Sequence, residues 1–122
     1  MVTARLTASE LTNCELRLAP ITEFPSQITS FPESFFDVIV VDGNEIRATD
    51  RLDCLKAATK RVKPGGLIVF DDSDRRRYSG WRVIVDGWDV RRFVGVRAKP
   101  FMATETSILR RPLGAVEKTG TA

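Results

Sequence analysis

The fold is decided by two apolar runs that each end in acid: Phe36-Asp37-Val38-Ile39-Val40-Val41-Asp42-Gly43 and Gly65-Gly66-Leu67-Ile68-Val69-Phe70-Asp71-Asp72. Each run holds four consecutive apolar residues without polar alternation, which is typical of a strand buried on both faces of a parallel sheet. In an open parallel sheet, ligands bind outside the carboxyl ends of the strands. The two acidic endings therefore predict a site at that edge of the sheet.

A helix is predicted between the two runs, from Thr49 or Asp50 to about Val62. Its apolar residues recur at spacings of three and four and form one stripe: Leu52, Leu55, Ala58 and Val62. The segment Pro64-Gly65-Gly66 ends this helix. Strand, helix and strand then form a βαβ unit with a right-handed crossover, which brings both carboxyl ends to the same edge of the sheet.

The rest of the chain predicts smaller elements around this unit. Alternation over residues 14–18 predicts a strand, and short helical segments are expected at 8–12, 26–30 and 80–87. Residues 92–97 and 106–110 predict a closing antiparallel pair of strands. We therefore expect one α/β domain over residues 1–112, with parallel core strands plus a C-terminal antiparallel pair, followed by a flexible tail at 113–122.

Composition indicates a cytoplasmic protein. The chain of 122 residues is 43% hydrophobic and 29% charged, as in ordinary globular proteins, and no apolar run approaches the ~20 residues of a membrane helix. Its two cysteines have no CxxC spacing, so we expect buried, reduced thiols. The net charge is +3, and without a nucleic-acid motif the arginine clusters predict a solvated basic surface rather than a nucleic-acid site.

Three carboxylates are the candidate site residues: Asp42, Asp71 and Asp72. Carboxylate oxygens clustered at one sheet edge suit a hard divalent cation such as Mg²⁺ or Ca²⁺. The alternative is structural: Asp42 begins an Asp-Gly turn, and Asp72 or Ser73 caps a following helix. The chain has no histidine, which removes the commonest general base, and the sequence assigns no catalytic residue.

From about Phe36 to Arg111 the chain resembles the C-terminal half of a class I S-adenosylmethionine-dependent methyltransferase, a Rossmann-like fold. The resemblance rests on Phe36 to Gly43, on Val62-Lys63-Pro64-Gly65-Gly66 before the second buried strand, and on the closing pair that ends in Thr106-Ser107-Ile108-Leu109. It implies S-adenosylmethionine as cofactor and a small-molecule acceptor. It also implies a divalent cation at Asp42, Asp71 and Asp72, the positions that bind metal in metal-dependent O-methyltransferases.

The family binds its cofactor with an N-terminal half that contains a glycine-rich turn. None of the eight glycines of this chain forms a GxG motif, and none precedes Gly43. We therefore expect a truncated domain that lacks the cofactor-binding half. The alternative function is a non-catalytic remnant that works as an oligomerising interaction module.

In the family's sheet the first strand lies beside the fourth, which corresponds here to the strand of Val38 to Val41. Without that neighbour the strand has an open apolar edge, and such an edge invites pairing with another chain. Either the strand at 14–18 covers this edge, or a second copy does. We expect a homodimer or higher homo-oligomer that uses this side of the sheet.

Overall fold

The computed structural model describes residues 12–42, 50–75, 78–97 and 102–114. Two 3₁₀ turns, Ile21–Glu23 and Pro25–Ser30, precede the first strand. The helices and strands then follow in this order: β1 Phe36–Val41, α1 Asp50–Arg61, β2 Val62–Asp71, α2 Trp81–Ile84, β3 Asp89–Arg97 and β4 Met102–Arg110.

The four strands form one mixed sheet in the order β1-β2-β4-β3. Strands β1 and β2 pair in parallel, with Val38 opposite Leu67 and Val41 opposite Phe70. Strand β4 pairs antiparallel with both β2 and β3. The structure thus confirms the predicted α/β class, the βαβ unit and the closing antiparallel pair. Strand β1 forms one edge of the sheet and β3 forms the other.

The core lies on one face of the sheet, under α1 and α2. It consists of ten buried residues: Val41, Leu55, Ala58, Val62, Ile68, Phe70, Tyr78, Trp81, Val85 and Leu109. The ring of Phe70 lies at its centre, with its centroid 6.2 Å from that of Tyr78 and 6.0 Å from that of Trp81. Burial of one large aliphatic or phenylalanine side chain, such as Leu55 or Phe70, stabilises the fold by about 1.5–3 kcal/mol.

The described elements leave apolar side chains exposed on the opposite face. Side chains alternate between the two faces along a strand, so Val38 and Val40 point away from the neighbouring core residue Val41. Val38 is 51% exposed and Val40 63% exposed, and Phe93 on β3 is 56% exposed. These residues lie on the uncovered side of a sheet whose other side is packed.

The segment Lys63-Pro64-Gly65-Gly66 is a bulge inside β2 rather than a loop before it. Phe36 pairs with Val62 but Val38 pairs with Leu67, so β2 takes up extra residues between two pairs of β1. Gly66 is required at this point, since an added Cβ would lie 2.8 Å from the carbonyl oxygen of Asp37. Strand β2 is consequently longer than the predicted run.

The strand predicted at residues 14–18 is wrong, because these residues form no strand. Leu18 is 84% exposed, and Arg17 binds the 3₁₀ turn instead, with Nη1 donating to Ser30 Oγ at 2.7 Å and its guanidinium 4.5 Å from the Phe31 ring centroid. Alternation alone does not bring a segment into backbone pairing with a strand. The open edge of β1 receives none from residues 12–20.

Other expected segments match less closely or lie outside the described residues. The helical segment expected at 26–30 is the second 3₁₀ turn, and the one expected at 80–87 is the single turn of α2. Most of the segment at 8–12, together with residues 115–122 of the predicted tail, lies outside the described residues. None of the described helices is long and apolar enough to cross a membrane.

Candidate functional site at the carboxyl edge of the sheet

The carboxyl ends of β1 and β2 lie side by side, as the βαβ unit requires. Asp42 follows β1 and keeps 60% of its side chain exposed. Asp71 is the last residue of β2, and Asp72 follows it, buried to 5% exposure. The structure therefore brings the three predicted carboxylates to one edge, in three different environments.

Arg51, in the first turn of α1, occupies the space between these strand ends. Its side chain is 3% exposed, and its Nη1 lies 3.3 Å from Asp72 Oδ2 and donates to the Asp71 carbonyl oxygen at 2.9 Å. Its Nη2 lies 3.9 Å from Asp42 Oδ1. The guanidinium also stacks on the Tyr78 ring, 4.9 Å from the centroid. One buried arginine thus contacts both strand ends.

The other carboxylate contacts of the edge are also made within the chain. Asp71 Oδ1 accepts a hydrogen bond from Thr106 Oγ1 at 2.7 Å. Asp72 Oδ2 lies 3.6 Å from Arg75 Nη2 as well. Asp72 has a φ of +56°, a left-handed conformation that aspartate adopts more readily than most residues. Asp42 is the carboxylate of the three that remains largely open to solvent.

The structure does not support the divalent-cation site predicted at Asp42, Asp71 and Asp72. Among the described residues there is no group of three acidic, cysteine or histidine side chains that could hold a metal ion. A hard cation needs six or more oxygen ligands directed at one point. Here the guanidinium of Arg51 lies between the strand ends and supplies the positive charge.

Sequence analysis missed Arg51, although one signal was available. The N-terminus of a helix carries partial positive charge, so a buried arginine in the first turn is unfavourable without a carboxylate partner. Arg51 follows Asp50 directly and is separated from Asp42 by one loop, so the sequence already places carboxylates near this arginine. Its pairing with Asp72, 21 residues away, could not be seen without the fold.

A second polar group lies just beyond the end of β2. Ser73 Oγ donates to Glu105 Oε2 at 2.8 Å and accepts from Ser107 Oγ at 2.7 Å. The indole Nε1 of Trp81 donates to the Ser73 carbonyl oxygen at 2.8 Å. Arg92 Nη1 lies 3.7 Å from Glu105 Oε1. This network fixes the residues after β2 against β4 and α2.

Comparison with solved structures finds the same fold in two methyltransferases and in a spermidine synthase. The O-methyltransferase from Bacillus cereus in complex with SAH superposes with a TM-score of 0.62 at 14% identity, over 87% of this chain and 55% of that protein. The precorrin-6y C5,15-methyltransferase from Geobacter metallireducens superposes with a TM-score of 0.58 at 17% sequence identity, over 91% of this chain and 59% of that protein. The spermidine synthase from Thermotoga maritima superposes with a TM-score of 0.61 at 17% sequence identity, over 92% of this chain and 40% of that protein.

The fold is therefore the Rossmann-like fold of class I methyltransferases, as expected from the sequence. The chain spans about half the length of these solved structures. A sequence model of the family described as "Methyltransferase domain" matches residues 4–73, which is more than half of the chain. The chain belongs to this methyltransferase-domain family. No curated protein matches the sequence.

The described residues do not by themselves fit S-adenosylmethionine, the cofactor that the family implies. A cavity of about 260 Å³ lies at the edge of β1, and its lining includes Phe24, Ile28, Val40, Asp42, Cys54 and Ala58. Pockets that hold small organic ligands measure about 300–1,000 Å³. The described part of this lining is largely apolar and includes no glycine whose amide could approach a ligand closely.

Proposed function

We propose that this chain supplies the acceptor-binding half of an S-adenosylmethionine-dependent methyltransferase that acts on a small molecule. In this proposal a glycine-rich segment outside the 122 residues completes the domain, either from a longer protein or from another chain. The family match and the class I fold support it. The observation that carries it is the position of β1, which lies at the edge of the sheet with Asp42 at its carboxyl end.

The cofactor would supply an electrophilic methyl group, and the chain would position the group that receives it. Asp42 is the candidate for this work, because its carboxylate is 60% exposed at the carboxyl edge. Asp71 is bound to Thr106, and Asp72 to Arg51, so neither has the same freedom. In the proposal Asp42 accepts a hydrogen bond from a hydroxyl or amine of the bound molecules.

The direct test is binding of S-adenosylhomocysteine, measured by calorimetry on the protein isolated from its own cells through a C-terminal tag. We expect saturable binding that Asp42→Asn weakens by about tenfold, as loss of a charge-assisted hydrogen bond does. Asp37→Asn is the matched control, since Asp37 lies at the opposite end of β1 and pairs with Lys63 at 3.1 Å.

Two results would contradict the proposal. One is the absence of binding by the native protein at millimolar ligand. The other is an equal loss of affinity in the Asp42 and Asp37 variants, which would show that the carboxyl edge is not the binding edge. The chain of 122 residues, produced alone in bacteria, serves as a comparison. We expect it to bind S-adenosylhomocysteine far more weakly than the protein isolated from its own cells.

The exposed apolar edge favours a second candidate, a non-catalytic module that assembles through β1 with a second copy of the chain. Val38 and Val40 of this strand are exposed on the uncovered face of the sheet, and β1 has no partner on its outer side among the described residues. Two β1 strands related by a two-fold axis could pair and make the two sheets continuous. This is the homo-oligomer that the sequence predicts.

Light scattering at tens of micromolar tests this candidate. We expect a dimer that Val40→Lys converts to monomer, because a lysine on an edge strand opposes strand addition. Val94→Lys is the control, since Val94 is similarly exposed, at 72%, on the opposite edge of the sheet. A wild-type chain that is strictly monomeric, or that dimerises equally well with Val40→Lys, contradicts this candidate.

We also propose that the protein works in the cytoplasm. The cysteine usage of the chain supports this location, because two cysteines without CxxC spacing are expected to stay reduced, although Cys14 is exposed rather than buried as the sequence predicts. Fluorescence microscopy of the tagged native protein tests this location, and a signal confined to the envelope or the medium would contradict it.

A further inference from the structure

A cavity of about 420 Å³ is lined by residues that follow the carboxyl end of β2, Ser73 and Arg75 among them. Its volume falls within the range of small-molecule pockets. Three arginines, one tryptophan and a serine–glutamate pair form most of its wall: Ser73, Arg75, Trp81, Arg82, Arg92 and Glu105. It is separate from the apolar cavity at the edge of β1, with which it shares no lining residue.

The floor of this cavity is buried and held by hydrogen bonds. Ser73 is 4% exposed and Ser107 is fully buried, and their hydroxyls form a chain that ends on Glu105 Oε2. Trp81, 1% exposed, is fixed by its bond to the Ser73 carbonyl oxygen. A ligand that enters the cavity therefore meets a wall whose conformation is already set.

Two guanidinium groups stand over this floor, those of Arg82 and Arg92. Arg92 Nη1 lies 3.7 Å from Glu105 Oε1, beyond hydrogen-bond distance, and the Arg92 side chain is 55% exposed. Arg82 stacks on the Trp81 ring, 4.6 Å from the centroid. Neither side chain donates a hydrogen bond to the described residues. Each guanidinium carries five N–H donors in a planar fork that matches carboxylate and phosphate oxygens.

The acidic groups of the cavity do not cancel this charge. Oε2 of Glu105 already accepts from Ser73, and Oε1 faces Arg92, so this carboxylate orients the arginine rather than closing the cavity. Asp74 is exposed at the rim. Arg75 adds a third positive charge, partly engaged with Asp72 at 3.6 Å. The wall therefore presents a net positive charge beside an aromatic side chain.

We infer that this cavity binds the anionic group, a carboxylate or a phosphate, of the molecule that the protein acts on. Arg82 and Arg92 form charge-assisted hydrogen bonds to its oxygens, and Glu105 is a positioning residue that holds Arg92. The inference rests on the proposed function for the identity of the ligand as acceptor. It adds that the acceptor is a small organic anion, bound beyond the carboxyl end of β2.

The experiment follows the indole N–H resonance of Trp81 in nitrogen–proton correlation spectra of the chain. The sequence has two tryptophans, so Trp88→Phe assigns the signal. Inorganic phosphate and acetate are the probes, titrated separately at constant ionic strength against sodium chloride. We expect a saturable shift with one or both probes, and the tighter probe indicates which anionic group the acceptor carries.

Matched arginine variants locate the binding. Arg82→Gln and Arg92→Gln should each weaken the tighter probe by about tenfold, the effect of losing one charge-assisted contact. Arg91→Gln is the control, because Arg91 neighbours Arg92 on β3 but points to the opposite face and pairs with Asp89 at 3.9 Å. Its affinity should match that of the wild type. The dispersion of each spectrum shows that each variant is folded.

Either of two results overturns the inference: no shift beyond the sodium chloride control, or a shift that Arg82→Gln and Arg92→Gln leave unchanged. Its failure differs from failure of the proposed function. Phosphate or acetate binding needs no cofactor, so a positive titration with no S-adenosylhomocysteine binding would retain the anion site and reject the methyltransferase. The converse result would retain the methyltransferase and reject the anion site.

Discussion

Arg51 Nη1 lies 3.3 Å from Asp72 Oδ2, and both side chains are almost completely buried, at 3% and 6% exposure. The pair joins the first turn of α1 to the end of β2, and through Asp42 it also reaches the end of β1. A protein cation therefore lies where the sequence predicted a metal ion. The pair fixes the geometry of the carboxyl edge and determines which carboxylate stays open.

Arg51→Met should destabilise the fold strongly. The substitution keeps much of the side-chain volume but leaves Asp72 without its principal partner, and breaking a buried ion pair in this way costs about 3–5 kcal/mol. Urea unfolding measures the loss. Asp72→Asn in the same background should restore part of it, since the buried charge that Arg51 no longer balances is then removed. A loss below about 1 kcal/mol in the single variant would show that the pair is not a structural element.

Magnesium or calcium at millimolar concentration should leave the melting temperature of the wild-type chain unchanged. The guanidinium of Arg51 already neutralises the strand ends, and a second cation would be repelled by it. Differential scanning fluorimetry measures the effect, with EDTA as the reference. A saturable rise in melting temperature that Asp71→Asn abolishes would restore the metal site predicted from the sequence.

Tyr78→Phe should leave the stability unchanged or raise it by about 1 kcal/mol, because Tyr78 Oη is buried and has no hydrogen-bond partner among the described residues. The phenyl ring retains the contact with Phe70 and the stacking under Arg51. Trp81→Phe is the contrasting variant, and it should destabilise, since the Ser73 carbonyl oxygen loses its donor. Chemical denaturation compares the two. A clear loss in Tyr78→Phe would mean that the hydroxyl has a partner.

Gly66→Ala should cost about 2–3 kcal/mol or more. The new Cβ would lie 2.8 Å from the Asp37 carbonyl oxygen and 2.8 Å from Val62 Cγ2, so the bulge that sets the register of β1 against β2 must distort. Gly95→Ala is the matched control on β3, where nothing lies within 4 Å of the added atom. Thermal unfolding of the two variants gives the comparison. Equal melting temperatures would contradict the account of the bulge.

The central strands were predictable because their signals are local. Four apolar residues in a row mark β1 and β2, and the stripe from Leu52 to Val62 marks α1, with the predicted helix differing from the observed one by about one residue at its end. The same local logic failed at residues 14–18. Alternation there describes which faces of a strand would be apolar, but it does not bring the segment into backbone pairing, and residues 12–20 leave the open edge of β1 unpaired.

The candidate site was predictable in position but not in chemistry. The βαβ rule brings Asp42 and Asp71 together without any knowledge of side chains. The positive charge beside these carboxylates comes from Arg51. Its 3.3 Å contact with Asp72, 21 residues further along the chain, follows from how α1 packs on the sheet. The arginine-lined cavity has the same origin, because Arg82, Arg92 and Ser73 meet only after β3 and β4 fold back beside β2.

We propose that β1 is an interior strand in the working protein, covered on its outer edge by the glycine-rich half or by a second copy. Amide hydrogen exchange of the native protein, resolved along β1, tests this most directly. An edge strand has unpaired outward amides that exchange fast, and β3 provides that reference within the same molecule. We predict slow exchange for all β1 amides, slowed further by S-adenosylhomocysteine if the protein is a methyltransferase. Outward amides of β1 that exchange as fast as those of β3, with and without the ligand, would contradict the account.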